Sequence, residues 1–410
     1  MLIHFNKTYF FKIITILFFC FSFYFIFSLS RLTFADKLNN LDKLIGNNDA
    51  VVVANSKGNI LFSKNAGQKL IPASTLKILT SLVAIHYLGM DYLYKTEFYL
   101  DDQSNLKIKG YGDPLLISEI LIRIAKTLAV DLKHINDILL DDSYFVQPLT
   151  IPGVTESSEP YDAPNGALCA NFNTVNFQRT KEGSYISAEP QTPLLPFAIS
   201  RIKKSNVYQG RVVLTHKKKE ATLYVGHLLA YLLNNEGVKC SGNIKIGTVD
   251  ASNDKRVYTY ISQYTLEQMI SELLEYSNNF MANQLLITAG ASAYEPPGSL
   301  LKGIQAVNSY GQFELNIENM DIIEGSGISR KNKISAKDML KILLKFKPYA
   351  YLMRYENKEY YKTGTLKGIR TRAGYIENES KELYPFVILV NTPGKSTLAI
   401  MKRLMECLVK

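Results

Sequence analysis

The sequence predicts an α/β (α+β) protein in which one domain, assembled from both ends of the chain, is interrupted by a large and mostly-β insert. Three features predict this. Strand-like apolar runs occur near residue 50 and again after residue 359, so the two chain ends can share a sheet. Helices with strong apolar periodicity lie between them. From about 97 to 247 the texture changes to short strand-like runs separated by loops, as an inserted domain would give. The expected division is 1–35 outside the fold, 36–96 with 248–410 as the principal domain, and 97–247 as the insert.

The elements follow in order. Runs at 50–54 and 59–64 flank Ser56-Lys57-Gly58 and read as a hairpin. A helix is expected over 71–88, where Pro72 suits a first turn and Leu76, Leu79, Val83 and Ile85 recur at helical spacing. In the insert, strands are expected at 106–109, 138–140 and 212–215, with helices over 114–129 and 224–233. Thr265 and Gln268 form a capping box for a helix reaching 275, with a buried stripe of Leu266, Met269, Ile270, Leu273 and Leu274. A polar break at Ser277-Asn278-Asn279 separates it from a helix to about 288. Ser335 caps a helix over 336–346. Strands at 359–365, 370–376 and 385–391 and a helix over 396–409 close the chain.

The first 35 residues stand apart. Lys7 and Lys12 precede an apolar run from 13 to 29, then Arg31 and Leu32-Thr33-Phe34-Ala35. That is the pattern of an export signal peptide cleaved near Ala35, and the run is also long enough to be a retained membrane anchor. Phe19 is too bulky for lipoprotein processing at Cys20. The folded part is therefore expected outside the cytoplasmic membrane, in the periplasm or cell envelope. The formal charge of +10 suits a solvated, Lys-rich surface, and also an acidic polymer or an anionic membrane. No basic run with interleaved aromatics occurs, which disfavours nucleic acid as a partner. Cys169, Cys240 and Cys407 allow at most one disulfide. The five histidines form no metal-binding spacing, so no metal or organic cofactor is implied.

Three short motifs carry chemistry: Ser74-Thr75-Leu76-Lys77, Ser277-Asn278-Asn279 and Lys362-Thr363-Gly364. Taken alone, each reads as a helix start, an inter-helix turn or a strand end. Ser-x-x-Lys also occurs at Ser104/Lys107, Ser200/Lys203, Ser252/Lys255 and Ser299/Lys302, and Ser-x-Asn at Ser241/Asn243. Context selects Ser74. A serine hydroxyl needs a base before it attacks, and a spacing of three on a helix sets Lys77 on the same face, one turn away. Lys77 must be neutral for that task, and burial beside a second cation such as Lys362 would make it so. Ser277 can relay a proton and Asn279 can hold a substrate backbone. Lys362 offers a fixed charge for a carboxylate, Gly364 leaves room beside an edge strand, and the Thr365 N–H can polarise a carbonyl.

In this order, the three motifs resemble those of penicillin-binding proteins and serine β-lactamases. The chain resembles more narrowly the low-molecular-mass class C penicillin-binding proteins, the penicillin-binding protein 4 type of D-alanyl-D-alanine carboxypeptidase/endopeptidase. Gly110-Tyr111-Gly112-Asp113-Pro114, Asp141-Asp142-Ser143-Tyr144-Phe145, Tyr161-Asp162-Ala163-Pro164 leading to Asn171-Phe172-Asn173, and Glu324-Gly325-Ser326-Gly327-Ile328-Ser329-Arg330 carry this likeness, as does the tail from Lys362 to Tyr375. The resemblance implies an antiparallel sheet flanked by helices and a serine peptidase acting on peptidoglycan stem peptides, with β-lactams as covalent inhibitors. It implies Ser74 as nucleophile, Lys77 as base, and Ser277 and Asn279 as the second motif. Lys362 and Thr363 would bind the terminal carboxylate, and the N–H groups of Ser74 and Thr365 would form the oxyanion hole. Asp141, with Asp142 beside it, and Arg330 would contact the stem's side-chain amine or carboxylate. Asn278 stands where Asp is usual and Asn283 where Glu is frequent.

Two other readings compete. A class A β-lactamase needs a Glu-x-x-Leu-Asn loop, but Gln312 takes the place of the essential Glu in Gln312-Phe313-Glu314-Leu315-Asn316. A non-catalytic peptidoglycan-binding protein would be expected to lose the nucleophile or the base, and both are present.

Overall fold

A computed structural model describes residues 41–318 and 320–409. The expected export segment lies outside the described residues. The principal sheet has six strands, in the order Arg354–Glu356, Glu359–Leu366, Ile369–Glu377, Leu383–Val390, Asp49–Ala54 and Ile60–Lys64. Every neighbouring pair is antiparallel. Both chain ends meet where Asp49–Ala54 pairs with Leu383–Val390.

Asp49–Ala54 is apolar throughout because both of its faces are covered. Successive side chains of a strand point to opposite faces. Ala50, Val52 and Ala54 join the core formed with Lys77–Leu88, Leu266–Tyr276 and Ala336–Phe346. Val51 and Val53 join a second core with Ile400, Met401 and Leu404 of the helix Leu398–Leu408. The capping box forms as the sequence predicts: Thr265 Oγ1 accepts from Gln268 N and Gln268 Oε1 accepts from Thr265 N. Ser335 accepts from Asp338 N at 3.0 Å and starts Ala336–Phe346.

The expected helix over 71–88 begins differently. Ala73–Leu76 is a 3-10 turn and the α-helix proper is Lys77–Leu88. Ala73 has φ +47°, outside the helical region, so Pro72 precedes the turn rather than opening the helix.

The inserted segment builds a mixed five-stranded sheet in the order Ile244–Ile246, Ile138–Asp141, Leu106–Gly110, Leu93–Leu100 and Lys255–Thr265. It carries more helix than the mostly-β reading expects: Ser118–Asp131, Pro196–Ser205 and Lys218–Asn235 cover its core. Pro196–Ser205 escapes pattern reading because it is short and lies in a polar, Lys-rich run. Leu93–Leu100 and Lys255–Thr265 enter and leave the insert as paired strands. We propose unit boundaries at about 93 and 265, since cuts at 97 and 247 would sever that pairing. Cys169, Cys240 and Cys407 are not joined to one another by a disulfide. No described helix is long and apolar enough to cross a membrane.

Phe386 is fully buried in the sheet core shared with the last helix. Phe386→Ala is expected to cost about 3–5 kcal/mol, the usual penalty for an aromatic cavity. A urea titration should show a lowered midpoint with an unchanged slope.

Candidate active site

Ser74 sits on the 3-10 turn at the mouth of the Lys77–Leu88 helix. Two threonines fix this turn: Thr75 Oγ1 and Thr371 Oγ1 each donate to the Pro72 carbonyl at 2.7 Å. Two glycines let neighbouring backbone press against it. A Cβ on Gly327 (φ +83°) would lie 1.9 Å from the Ala73 carbonyl oxygen, and one on Gly364 would lie 2.8 Å from Ser74 N. Gly364 thus admits the nucleophile turn to the strand rather than leaving space for substrate.

Lys77 is 0% exposed. Its Nζ lies 2.9 Å from Ser74 Oγ, 2.7 Å from Asn279 Oδ1 and 2.7 Å from the Ser326 carbonyl oxygen. Burial pushes its pKa well below the usual lysine value, and the Lys362 charge adds to this, while Glu324 acts in the opposite direction. The second and third partners are obligate acceptors. A neutral amine has two N–H groups and one lone pair. In the neutral amine, both N–H groups can go to Asn279 Oδ1 and the Ser326 carbonyl, which leaves the lone pair toward the Ser74 hydroxyl.

The Ser326 carbonyl is held by a loop that the sequence reading did not explain. Glu324, fully buried, accepts from Ser326 N at 2.7 Å, Ser326 Oγ at 2.6 Å, Gly327 N at 2.8 Å and Asn332 Nδ2. Asn283 Oδ1 accepts from Gly325 N at 2.8 Å, and its Nδ2 donates to Glu324 at 3.3 Å. Thr80, one turn after Lys77, donates to the Gly325 carbonyl at 2.6 Å. Asn283 therefore braces the loop through its amide.

Ser277 is the left-handed residue (φ 58°) that ends Leu266–Tyr276, and Asn278 caps the next helix by accepting from Met281 N at 3.1 Å. An Asp there could cap equally. Lys362 is nearly buried and its pKa is pushed down to about 8 by burial, partly countered by Glu275. Its strand is an edge where it matters: Arg354–Glu356 pairs only with 359–361, leaving the outer edge of 362–366 unpaired by that strand. Thr363 and Thr365 are exposed on the face opposite Lys362 and Gly364.

A cavity of about 540 Å³ is lined by Ser74, Tyr161, Ser277, Asn279, Ile328, Thr365, Leu366, Lys367 and Arg370. No Asp or Glu lines it. Tyr161 is half exposed and comes from the insert; the sequence marked its stretch but gave it no role. The structure does not bring Asp141 here. It is buried in the insert, where Oδ1 accepts from Ser143 N and Oδ2 from Val249 N, both at 2.9 Å. Asp142 receives a bond from Thr222 and does not line the cavity either. Arg330 donates to the Lys367 carbonyl at the lip without lining the cavity.

The rival serines are engaged elsewhere. Ser299 caps a helix while Lys302 Nζ donates to the Pro297 carbonyl. Ser200 donates to the Phe197 carbonyl and Ser252 to Asp250, and Lys107 pairs with Asp254. Ser241 bonds His134 in the insert.

A serine and a buried lysine 2.9 Å apart under a free strand edge, on a sheet flanked by helices, fit the penicillin-recognising fold. Residues 32–355 match the D-Ala-D-Ala carboxypeptidase 3 (S13) family, and the chain belongs to that family. It is 23% identical over 85% of its length to a D-alanyl-D-alanine carboxypeptidase of Actinomadura sp. (strain R39), covering 79% of that protein. Penicillin-binding protein 4 of Haemophilus influenzae superposes with a TM-score of 0.75 at 18% identity, over 90% of this chain and 98% of that one. A penicillin G-acylated predatory endopeptidase from Bdellovibrio bacteriovorus superposes with a TM-score of 0.52 at 14% identity, over 88% and 91% of the two chains.

Gly327→Ala should drive the loop into the Ala73 carbonyl and displace Ser74. A displacement near 1 Å typically costs about 100-fold, so the second-order rate of acylation by benzylpenicillin is expected to fall by that order. The pH profile of the same rate should rise as Lys77 loses its proton and fall above about pH 8 as Lys362 loses its charge. In Lys362→Ala the descending limb should vanish, and the ascending limb should move to higher pH because a repelling cation is gone.

Proposed function

We propose that Ser74 forms the acyl-enzyme of a serine-type D-alanyl-D-alanine carboxypeptidase acting on peptidoglycan stem peptides outside the cytoplasmic membrane. The observation that carries this is the Lys77 amine, whose two N–H groups are committed to obligate acceptors and whose remaining valence points at Ser74.

The peptide lies along the free edge of 362–366 with its terminal carboxylate toward Lys362 and Thr363. Ser74 Oγ attacks the penultimate D-Ala carbonyl and its proton passes to Lys77. The N–H groups of Ser74 and Thr365 receive the oxyanion. The C–N bond then breaks, and the leaving amine takes a proton from Lys77 through Ser277. Water hydrolyses the ester, regenerating Ser74 and releasing the shortened stem. A crosslinked stem as leaving amine makes the same chemistry an endopeptidase reaction.

The cavity's lack of a carboxylate argues against a β-lactamase. Glu314, the nearest sequence candidate for a water-activating acid, pairs with Lys345 at 2.9 Å on another surface. A peptidoglycan-binding protein without activity would have no use for a neutral lysine aimed at a serine.

Intact-mass measurement after benzylpenicillin treatment should show one long-lived adduct on the wild type and none on Ser74→Ala or Lys77→Ala. Rapid return of the wild-type mass to its starting value would identify a β-lactamase instead, and absence of any adduct would favour the binding protein.

A further inference from the structure

We propose that the groove between the helix Leu266–Tyr276 and the insert binds the N-acetylated sugar chain of peptidoglycan, so that the enzyme holds the glycan while Ser74 works on a stem. This rests on the proposed function for the identity of the polymer. The catalytic cavity does not end at the second motif. Tyr161, Ser277 and Asn279 also line a second cavity of about 620 Å³. That cavity shares Leu115, Phe172, Arg211 and Glu272 with a third of about 490 Å³, so the three run together as one groove. Helical spacing explains its near wall. Leu266, Met269, Ile270, Leu273 and Leu274 face the core, which leaves Gln268, Glu272 and Tyr276, four residues apart, along another side of the helix. All three line the groove. At 1.5 Å per residue they extend it by about 12 Å, enough for more than one sugar ring.

The far wall presents Phe172. Asn171, Phe172 and Asn173 are consecutive left-handed residues, with φ of 50°, 60° and 54°, a conformation that a bulky side chain rarely adopts. Side-chain bonds hold the turn there: Asn171 Oδ1 accepts from Ser118 N at 2.9 Å, and Asn173 Nδ2 donates to the Pro164 carbonyl at 2.8 Å. The half-buried Phe172 ring stands edge-on to Phe280 and borders both outer cavities. An apolar ring set among amides, hydroxyls and carboxylates suits a pyranose, whose faces carry C–H groups and whose rim carries hydroxyls. Charge narrows the choice. Arg211 is paired with Glu189 and donates to Thr174 Oγ1 at 2.9 Å. Glu119 accepts from Gln191 at 2.9 Å, and among the described residues neither Glu119 nor Glu272 pairs with a cation. The groove therefore keeps uncompensated negative charge, the opposite of the catalytic cavity with its Lys367 and Arg370. Stem peptides carry carboxylates, which like charge repels. The sugar chain is neutral, and its hydroxyl and amide hydrogens can be donated to the two carboxylates.

The probe is tetra-N-acetylchitotetraose, titrated calorimetrically into wild type and into wild type already acylated by benzylpenicillin. Both should bind it, because the adduct occupies the catalytic cavity and leaves the groove open. Affinity should fall about tenfold in Glu272→Ala, which loses a hydrogen bond to a charged group, and by a similar factor in Phe172→Ala, which loses the stacking face. The Tm of each variant reports that it is folded. Glu272 is exposed on its helix, so that variant decides the matter where Phe172→Ala does not fold. The fully de-N-acetylated tetramer, a cation, is the comparison. No binding of the acetylated tetramer, loss of binding on acylation, or undiminished affinity in Glu272→Ala would overturn the assignment. So would binding of the cationic tetramer alone, abolished in about 0.5 M salt, which would make the groove a cation site. The two levels of the reading fail separately. A penicillin adduct without sugar binding defeats only the groove, while sugar binding without an adduct defeats the carboxypeptidase reading and leaves a peptidoglycan-binding protein.

Discussion

A buried amine hydrogen-bonded to no carboxylate is the constraint on which the site depends. Removing an ammonium from water costs several kcal/mol unless it is paired. The surroundings of Lys77 lower that cost by favouring its neutral form, which holds its pKa well below the usual lysine value. Burial acts first and the Lys362 charge second. Neutrality then dictates direction. The Asn279 Oδ1 and the Ser326 carbonyl oxygen can only accept, so in the neutral amine each takes one N–H and Ser74 faces the lone pair. Three distant stretches of chain must converge on one nitrogen for this to work. The helix Asn279–Tyr294 and the loop anchored by Glu324 are both built to reach it.

The same economy governs the nucleophile turn. Ser74 must sit ahead of the α-helix proper yet stay rigid. Ala73 in a left-handed conformation and the 3-10 turn provide the first. Contact on two sides provides the second: the Gly327 backbone lies against the Ala73 carbonyl and the Gly364 backbone against Ser74 N. A side chain at either glycine would fill the gap that holds the turn in register with the strand edge. The sheet continues this logic outward, because Lys362 and Gly364 share the inward face of one strand while the edge beside them stays unpaired.

Much of this was legible in the sequence, and the limits are physical. Ser74 and Lys77 are readable because helical spacing is fixed, and Ser277 and Asn279 because a polar break interrupts two strongly periodic helices. The strand carrying Lys362 is readable from its alternation and its Gly. Glu324 was not read as the organiser of its loop, since its partners are backbone N–H groups of irregular chain, which leave no periodic trace. Asp141 was drawn toward the site by its neighbours in sequence. At the end of a strand, however, a buried carboxylate finds backbone donors close by, and those of Ser143 and Val249 claim it. Tyr161 comes from a loop whose path depends on how the insert packs against the second motif, which sequence spacing does not report.

Under the proposed function, the absence of a carboxylate from the cavity would connect peptide turnover with retention of penicillin. On the proposed mechanism, departure of D-alanine leaves Lys77 deprotonated again and able to draw a proton from an incoming water. A β-lactam leaves that water no path. Its amine is released from the carbonyl but remains covalently part of the acyl group, so it occupies the side from which water must approach Ser74. An enzyme with a separately placed acid could activate water from another direction. Here the lining residues on the remaining sides are Tyr161, Ile328, Leu366, Lys367 and Arg370, with no carboxylate among them. One lysine therefore suffices for a substrate whose leaving group diffuses away and fails for one whose leaving group is tethered.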